Sequence, residues 1–268
     1  DSHPMYRIER YGVFNGKDYA YPNLSALMGE VFQDEFPQIE QVVRFRPYEL
    51  SVRDNYDNLN PERLVAADAN VFDVFSFSLQ QGDPATALVD PYTIVLTHNM
   101  AEHYLANGEP IGQTVSVLWG RKIYDFRVTG ILQEMPRQSH FRTDILFSFS
   151  SLPTLSPGEY YDWISMGMYT YVLLQPGASA AELEARFPVY MEKYLGPIVA
   201  KLFGNDLGLK NNNLMKLRLR PLRDIYLHST MEQEIDPTGE ANTIYILTAI
   251  VAFILLIACF NFINLSIA

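Results

Sequence analysis

The chain has 268 residues, of which 48% are hydrophobic, and carries a formal net charge of -11. That size allows one or two compact domains, and the acidic balance excludes a nucleic-acid surface, which needs clustered Lys and Arg to displace counterions from phosphate. The single cysteine, Cys259, leaves no disulfide pair and no Cys-based metal site.

In chain order, Tyr6 to Phe14 alternates as a strand, and Asn15-Gly16 supplies a turn. A helix follows, with Asn23 as N-cap, Leu24, Leu27, Met28, Val31, Phe32 and Phe36 at three- and four-residue spacing, and Pro37 as its stop. Gln41 to Val52 is the next strand, with Pro47 marking a bulge, an edge or its end. From Asn58 to Trp163 the apolar runs shorten and turn signals multiply. Val71 to Leu79 reads as helical turn or strand, closed by Gly82-Asp83-Pro84, and Tyr92 to Leu96 is a short β-branched run. Thr97 then caps a helix through Asn107, ended by Gly108. Gly112 to Trp119 and Ile123 to Leu132 form a hairpin turned at Gly120-Arg121, with Gly130 marking a bulge or close backbone approach. Ile145 to Phe149 closes this module, and the Ser/Pro stretch Ser150 to Gly158 reads as a boundary loop.

Strand, helix and strand then return. They are Tyr169 to Leu174, a helix capped by Ser179 that carries Leu183, Phe187, Tyr190, Met191, Tyr194 and Leu195 with Pro188 as a kink, and, after Asn211-Asn212-Asn213, an alternating strand. In that last strand Met215, Leu217 and Leu219 alternate with Lys216, Arg218 and Arg220. Two βαβ units flanking an insertion indicate an α+β fold with a ferredoxin-like split layer.

After Glu240 no Asp, Glu, Lys, Arg or His occurs. As a helix, Asn242 to Ala268 is roughly 39 Å long, enough to cross a hydrocarbon core about 30 Å thick, and it has no polar stripe. The chain thus reads as a piece of a membrane protein, with a transmembrane helix that continues past the folded domain, its apolar surface either bare or covered by a crystal or detergent neighbour. Asn261 and Asn264, costly in lipid, are expected to face other helices or the membrane edge. Between Arg223 and this span there is no Lys or Arg, and basic residues mark cytoplasmic flanks. The folded part is therefore expected outside the cytoplasm.

Catalytic and metal constellations are thin. His98 and His103 are five apart and lack the HExxH pattern of a zinc protease. His140 near Asp144 and His228 near Asp224 are either structural histidines or halves of acid/base pairs. Glu232, Glu234, Asp236 and Glu240, with a turn at Asp236-Pro237-Thr238-Gly239, lack calcium-loop spacing and read as a solvated link into the membrane. Neither GxGxxG, GxxxxGKS/T nor GxSxG occurs. No catalytic, cofactor-binding or metal residue is assigned.

The phrases VFSFSLQQGDPATAL (Val74 to Leu88), TIVLTHNMAEHYL (Thr93 to Leu105), GEPIGQTV (Gly108 to Val115), FRVTGILQEMPRQSHFRTDILFSF (Phe126 to Phe149), YTYVLLQPGAS (Tyr169 to Ser179) and LRPLRDIYLHS (Leu219 to Ser229), followed by LLIACFNFINLSIA, carry a resemblance. In this order they resemble the extracytoplasmic core and following membrane helix of MacB-like, FtsX-like ABC transporter permeases; the first 60 residues match only loosely. The resemblance implies a porter-like subdomain over 5–58 and 165–230, an inserted β-rich subdomain over 59–164, a linker over 231–242 and a transmembrane helix over 243–268. It implies a non-catalytic domain on the periplasmic side (residues 1–242) of a bacterial inner membrane, coupling ATP-driven helix movement to periplasmic cargo or partner proteins. The implied partners are a cytoplasmic ABC ATPase that binds the ATP, a second permease copy, a periplasmic or outer-membrane protein and membrane lipid, with no nucleic acid. Two readings from other classes stay open: an extracytoplasmic ligand-sensing domain of a membrane signalling receptor, with one well-formed pocket, and a membrane-bound hydrolase built around His140 or His228.

Overall fold

The computed structural model describes residues 4–14, 16–106, 108–135, 142–203, 215–225, 229, 231–236 and 241–267. Its strands are β1 (Met5–Phe14), β2 (Lys17–Tyr21), β3 (Ile39–Arg53), β4 (Leu59–Ala67), β5 (Leu79–Gly82), β6 (Thr93–Thr97), β7 (Thr114–Trp119), β8 (Lys122–Leu132), β9 (Ile145–Ser148), β10 (Tyr169–Leu174) and β11 (Lys216–Pro221). The helices are α1 (Ala26–Glu35), α2 (Val71–Val74), α3 (His98–Tyr104), α4 (Leu152–Leu155), α5 (Pro157–Tyr160), α6 (Ala180–Tyr194) and α7 (Gly196–Phe203), followed by a C-terminal helix, Ala241–Ile267.

One end of the sheet has the order β11-β1-β10-β3, all antiparallel. Alternation puts Ile8, Val172, Leu174 and Leu217 on one face, where they pack with Met28, Phe32 and Phe36 of the α1 region and Leu183, Phe187, Tyr190 and Met191 of α6. Both helices begin at a serine: Ser25 Oγ accepts from Met28 N and Ser179 Oγ from Glu182 N, each satisfying a first-turn donor. The cap expected at Asn23 falls two residues later, because the Asn23 side chain is engaged by Arg10 and Gln233.

β3 is shared. Its residues 39–45 pair with β10, and its residues 45–53 pair with β4. From there β4 pairs with β9, β9 with β6, β6 with β8, β8 with β7, and β7 with Ser51 and Val52 of β3, so six strands close a ring. Val52, Leu64, Ala66, Ile94, Leu96, Val115, Val117, Phe126, Val128 and Phe147 fill its interior. α3 contributes Ala101 and Tyr104, and the residue after it, Leu105, joins the same core. Pro47 lies inside β3 instead of ending it. Between Phe45 and Ser51 one flank of β3 has no registered partner, so a missing N–H is tolerated there.

Of the two readings of Val71 to Leu79, the helical turn holds at its start as α2, and β5 begins only at Leu79; β2 and β4 were not expected. The stretch read as a loop from Ser150 to Gly158 instead forms the helical turns α4 and α5. Gly130 fits its expected role: β6 and β8 slip register between Ile94 and Val95, and a Cβ at Gly130 would lie 3.1 Å from Leu79 Cδ1. Asn15, Asn107 and Asn211 to Asn213 lie outside the described residues.

The C-terminal helix has 27 residues. Its side chains are described over 247–259 and at Phe262, and among them Leu247, Ile250, Val251, Phe253 and Ile254 are exposed. Over the residues whose side chains are described, no helical stretch is long and apolar enough to cross a membrane, so the span expected over 243–268 is not shown. The side chains of Asn261 and Asn264 lie outside those described.

Candidate functional site: a charged clamp before the C-terminal helix

On β1, Arg7, Glu9 and Tyr11 point to the face opposite α1 and α6. Arg7 and Glu9 are buried, with side chains 0% and 1% exposed. Arg7 Nη2 donates to Glu9 Oε1 at 2.7 Å. Glu9 also accepts from Arg220 Nε at 2.7 and 2.9 Å and from the Tyr11 hydroxyl at 2.6 Å. One carboxylate therefore serves three donors from two strands, the fully satisfied arrangement a buried charge requires.

The fourth charge comes from a strap, residues 231–236, that belongs to no strand or helix. Arg7 Nη1 and Nη2 donate to the two oxygens of Glu234 at 2.5 and 2.8 Å, and Ser229 Oγ donates to the same carboxylate. Burial works against the Arg7 charge, but Glu234, with Tyr171 and Glu9, outweighs it and holds the guanidinium above the ordinary arginine value. Further along the strap, Arg63 of β4 pairs with Asp236 and its Nη2 donates to the Ile235 carbonyl at 2.5 Å. The Arg142 N–H donates to Asp236 Oδ2 at 2.6 Å. The Tyr169 hydroxyl donates to the Gln233 carbonyl at 2.6 Å, and Asn23 Nδ2 donates to Gln233 Oε1 at 3.1 Å. Burial, then the charge of Glu234, pushes the Tyr169 hydroxyl above its ordinary value, so it remains a donor. Between the two acids, Ile235 is buried in the cluster of Val43, Phe45, Val65 and Tyr171.

The strap corrects the reading of Glu234 and Asp236 as a solvated link, whereas Glu232 is exposed as expected. Glu234 is 8% exposed and Asp236 is 21% exposed, and each is held by an arginine of the sheet. Glu240 and residues 237–239 lie outside the described residues. The signal for this site was present in two strands. Arg7-x-Glu9 on β1 and Arg218-x-Arg220 on β11 are charges at i, i+2 that a solvent-facing reading leaves unpaired, and only the β1–β11 register brings them together.

Among the described residues, the remaining candidates do not converge. His98 lies 3.2 Å from Glu102 on the exposed face of α3, and His103 packs its ring edge-on against Tyr104. His140 and His228, on which the hydrolase reading depends, lie outside the described residues, as does any pairing with Asp144 or Asp224. Among the described residues no group of three or more His, Cys, Asp or Glu is placed to hold a metal. A cavity of about 580 Å³ between β5 and α3 is lined by Gln81, His98, Glu102, Leu105, Glu109 and Ile131 and is partly open to solvent.

No curated protein sequence matches the chain. Among solved structures, it is similar to a domain assigned to a permease protein from Porphyromonas gingivalis, at 18% identity and a TM-score of 0.65, over 91% of this chain and 97% of that one. It is also similar to the periplasmic region of MacB from Actinobacillus actinomycetemcomitans, at 15% identity and a TM-score of 0.50, over 82% of this chain and 90% of that one. These likenesses show a shared fold of mixed α and β structure. Residues 2–188 match the MacB-like periplasmic core domain family. The match includes the first 60 residues, where the resemblance was loosest, and stops short of β11, the strap and the C-terminal helix. On that match the chain belongs to the MacB-like periplasmic core domains, the extracytoplasmic domains of MacB-like permeases.

Proposed function

We propose that this domain is a non-catalytic coupling element of an ABC transporter permease, and that the strap is its joint to the membrane. The observation that carries the reading is the clamp. The strap, which ends at Asp236 ahead of the C-terminal helix at Ala241, is fixed to β1 by Arg7–Glu234 and to β4 by Arg63–Asp236. Displacement of the helix then moves the sheet, because coupling needs packed contact from one element to the next. In this reading the uncharged helix lies in the inner membrane among lipid and the other permease helices, and residues 1–242 lie on the periplasmic side. A separate cytoplasmic ATPase binds ATP, a second permease copy completes the pair, and a periplasmic or outer-membrane protein or cargo receives the motion. The order β11-β1-β10-β3, with α1 and α6 on one face, supports a ferredoxin-like porter layer over 5–58 and 165–230. The ring of strands is then the insertion at 59–164, with β3 common to both.

The test is a flexible Gly/Ser segment inserted between Pro237 and Thr238 of the full permease, in complex with its ATPase. ATP-dependent movement of a spin label on the β1–β2 hairpin is expected to vanish while the thermal melt of the domain is unchanged. Retained movement overturns the reading.

A further inference from the structure

The strap makes no ladder with any strand. It is held as a bound peptide is held, through side chains and carbonyl oxygens, by groups that the sheet positions independently of it. Glu9 orients Arg7 and is itself fixed by Arg220 and Tyr11. Arg63 and Tyr169 stand in the β4 and β10 ladders. The trough therefore does not need the strap to exist. With the strap in place, Arg7 and Arg220 balance Glu9 and Glu234; without it, two arginines face one carboxylate beside an apolar seat left by Ile235. Two details show that the fit is imperfect. Gln233 adopts a φ of 63°, the left-handed region that a non-glycine residue avoids. Arg7 is wholly buried, yet its Nε has no hydrogen-bond partner among the described residues.

We infer that this trough is a peptide-binding site, occupied here by the chain's own strap, whose ligand class is an acidic segment of a partner protein with one carboxylate on either side of an aliphatic residue. The charge of the trough sets the acids: Arg7 takes the first and Arg63 the second, at the spacing of Glu234 and Asp236. The seat among Val43, Phe45, Val65 and Tyr171 sets the aliphatic residue between them. The strap then acts as an internal competitor, and its release opens the site. This rests on the strap being a docked segment, as the coupling role does, but a peptide titration reports on it whether or not movement is transmitted.

The experiment uses the full chain in detergent micelles and a fluorescein-labelled peptide of sequence STMEQEID, with STMQQQIN as control. In the Glu234→Ala, Asp236→Ala variant, which weakens the strap and leaves the trough intact, the acidic peptide is expected to bind at least tenfold tighter by anisotropy than to the unaltered chain. The control is expected to bind neither. Equal binding to both proteins, or equal binding of both peptides, overturns the inference. Self-association of the variant in the absence of peptide, seen by light scattering, assigns the trough to a second copy and overturns it as well. Should the variant fail to fold, the unaltered chain serves: excess acidic peptide should expose Glu234 to a Glu-specific protease, and unchanged cleavage there refutes the site.

Discussion

Arg7 and Arg220 stand directly opposite each other across the β1–β11 ladder, and both donate to Glu9. Like charges facing across a ladder repel, so the carboxylate between them is what makes the pairing tenable. Glu9→Gln keeps the shape and removes the charge. The loss expected is about 3–5 kcal/mol, the range for breaking a buried ion pair from one side. Urea unfolding measures it, and a loss below about 1 kcal/mol contradicts the role given to Glu9.

The ring of strands makes a separate demand. Phe147 is fully buried, with its ring against those of Tyr48, Trp119 and Phe126. Phe147→Ala should cost about 3–5 kcal/mol through lost burial and the cavity left behind. The fluorescence of Trp119 should shift with it, and hydrogen exchange should speed up in β4, β6 and β9 before β1 and β11.

Gly82 ends β5 with a φ of 96°, and a Cβ there would lie 2.3 Å from the Thr129 carbonyl oxygen. Gly82→Ala should destabilise by more than about 1 kcal/mol, because neither the conformation nor the space admits a side chain. Selective loss of protection in β5 by hydrogen exchange is the expected signature.

Asp54 organises the turn between β3 and β4. Its carboxylate accepts from the Asn58 side chain and from the backbone N–H groups of Tyr56 and Asn58, and these bonds, the Asn58 side chain first, lower it to about 2. A folded value below the ordinary one means the turn is fully favoured above about pH 4 and loses that support as pH falls toward 2. An NMR titration of the Asp54 carboxyl should give a midpoint near 2, and Asn58→Ala should raise it toward the ordinary aspartate range.

Much of the fold was legible because its elements are locally encoded. Ser179 followed by Leu183, Phe187, Tyr190 and Met191 is a helix by spacing alone, and Leu217 against Lys216 and Arg218 is a half-buried strand by alternation. Helix-capping choice was less legible, since Asn23 and Ser25 are both good caps and a distant arginine decides between them. The strap's part in the site was not legible. Glu234 and Asp236 sit in a segment without periodicity, and their arginine partners lie 227 and 173 residues away. Acids with no visible partner in the sequence read as solvated; only tertiary register brings Arg7 and Arg63 to them.

β3 has 15 residues, about 50 Å of extended backbone. Its first half is bonded to the layer that receives the strap, and its second half is a stave of the closed ring. No loop interrupts it, so the ring and the layer cannot pivot about a hinge in this strand without tearing ladder bonds. Because the strap grips the layer through Arg7 and the ring through Arg63 of β4, a tug on it should shift layer and ring together as one rigid body.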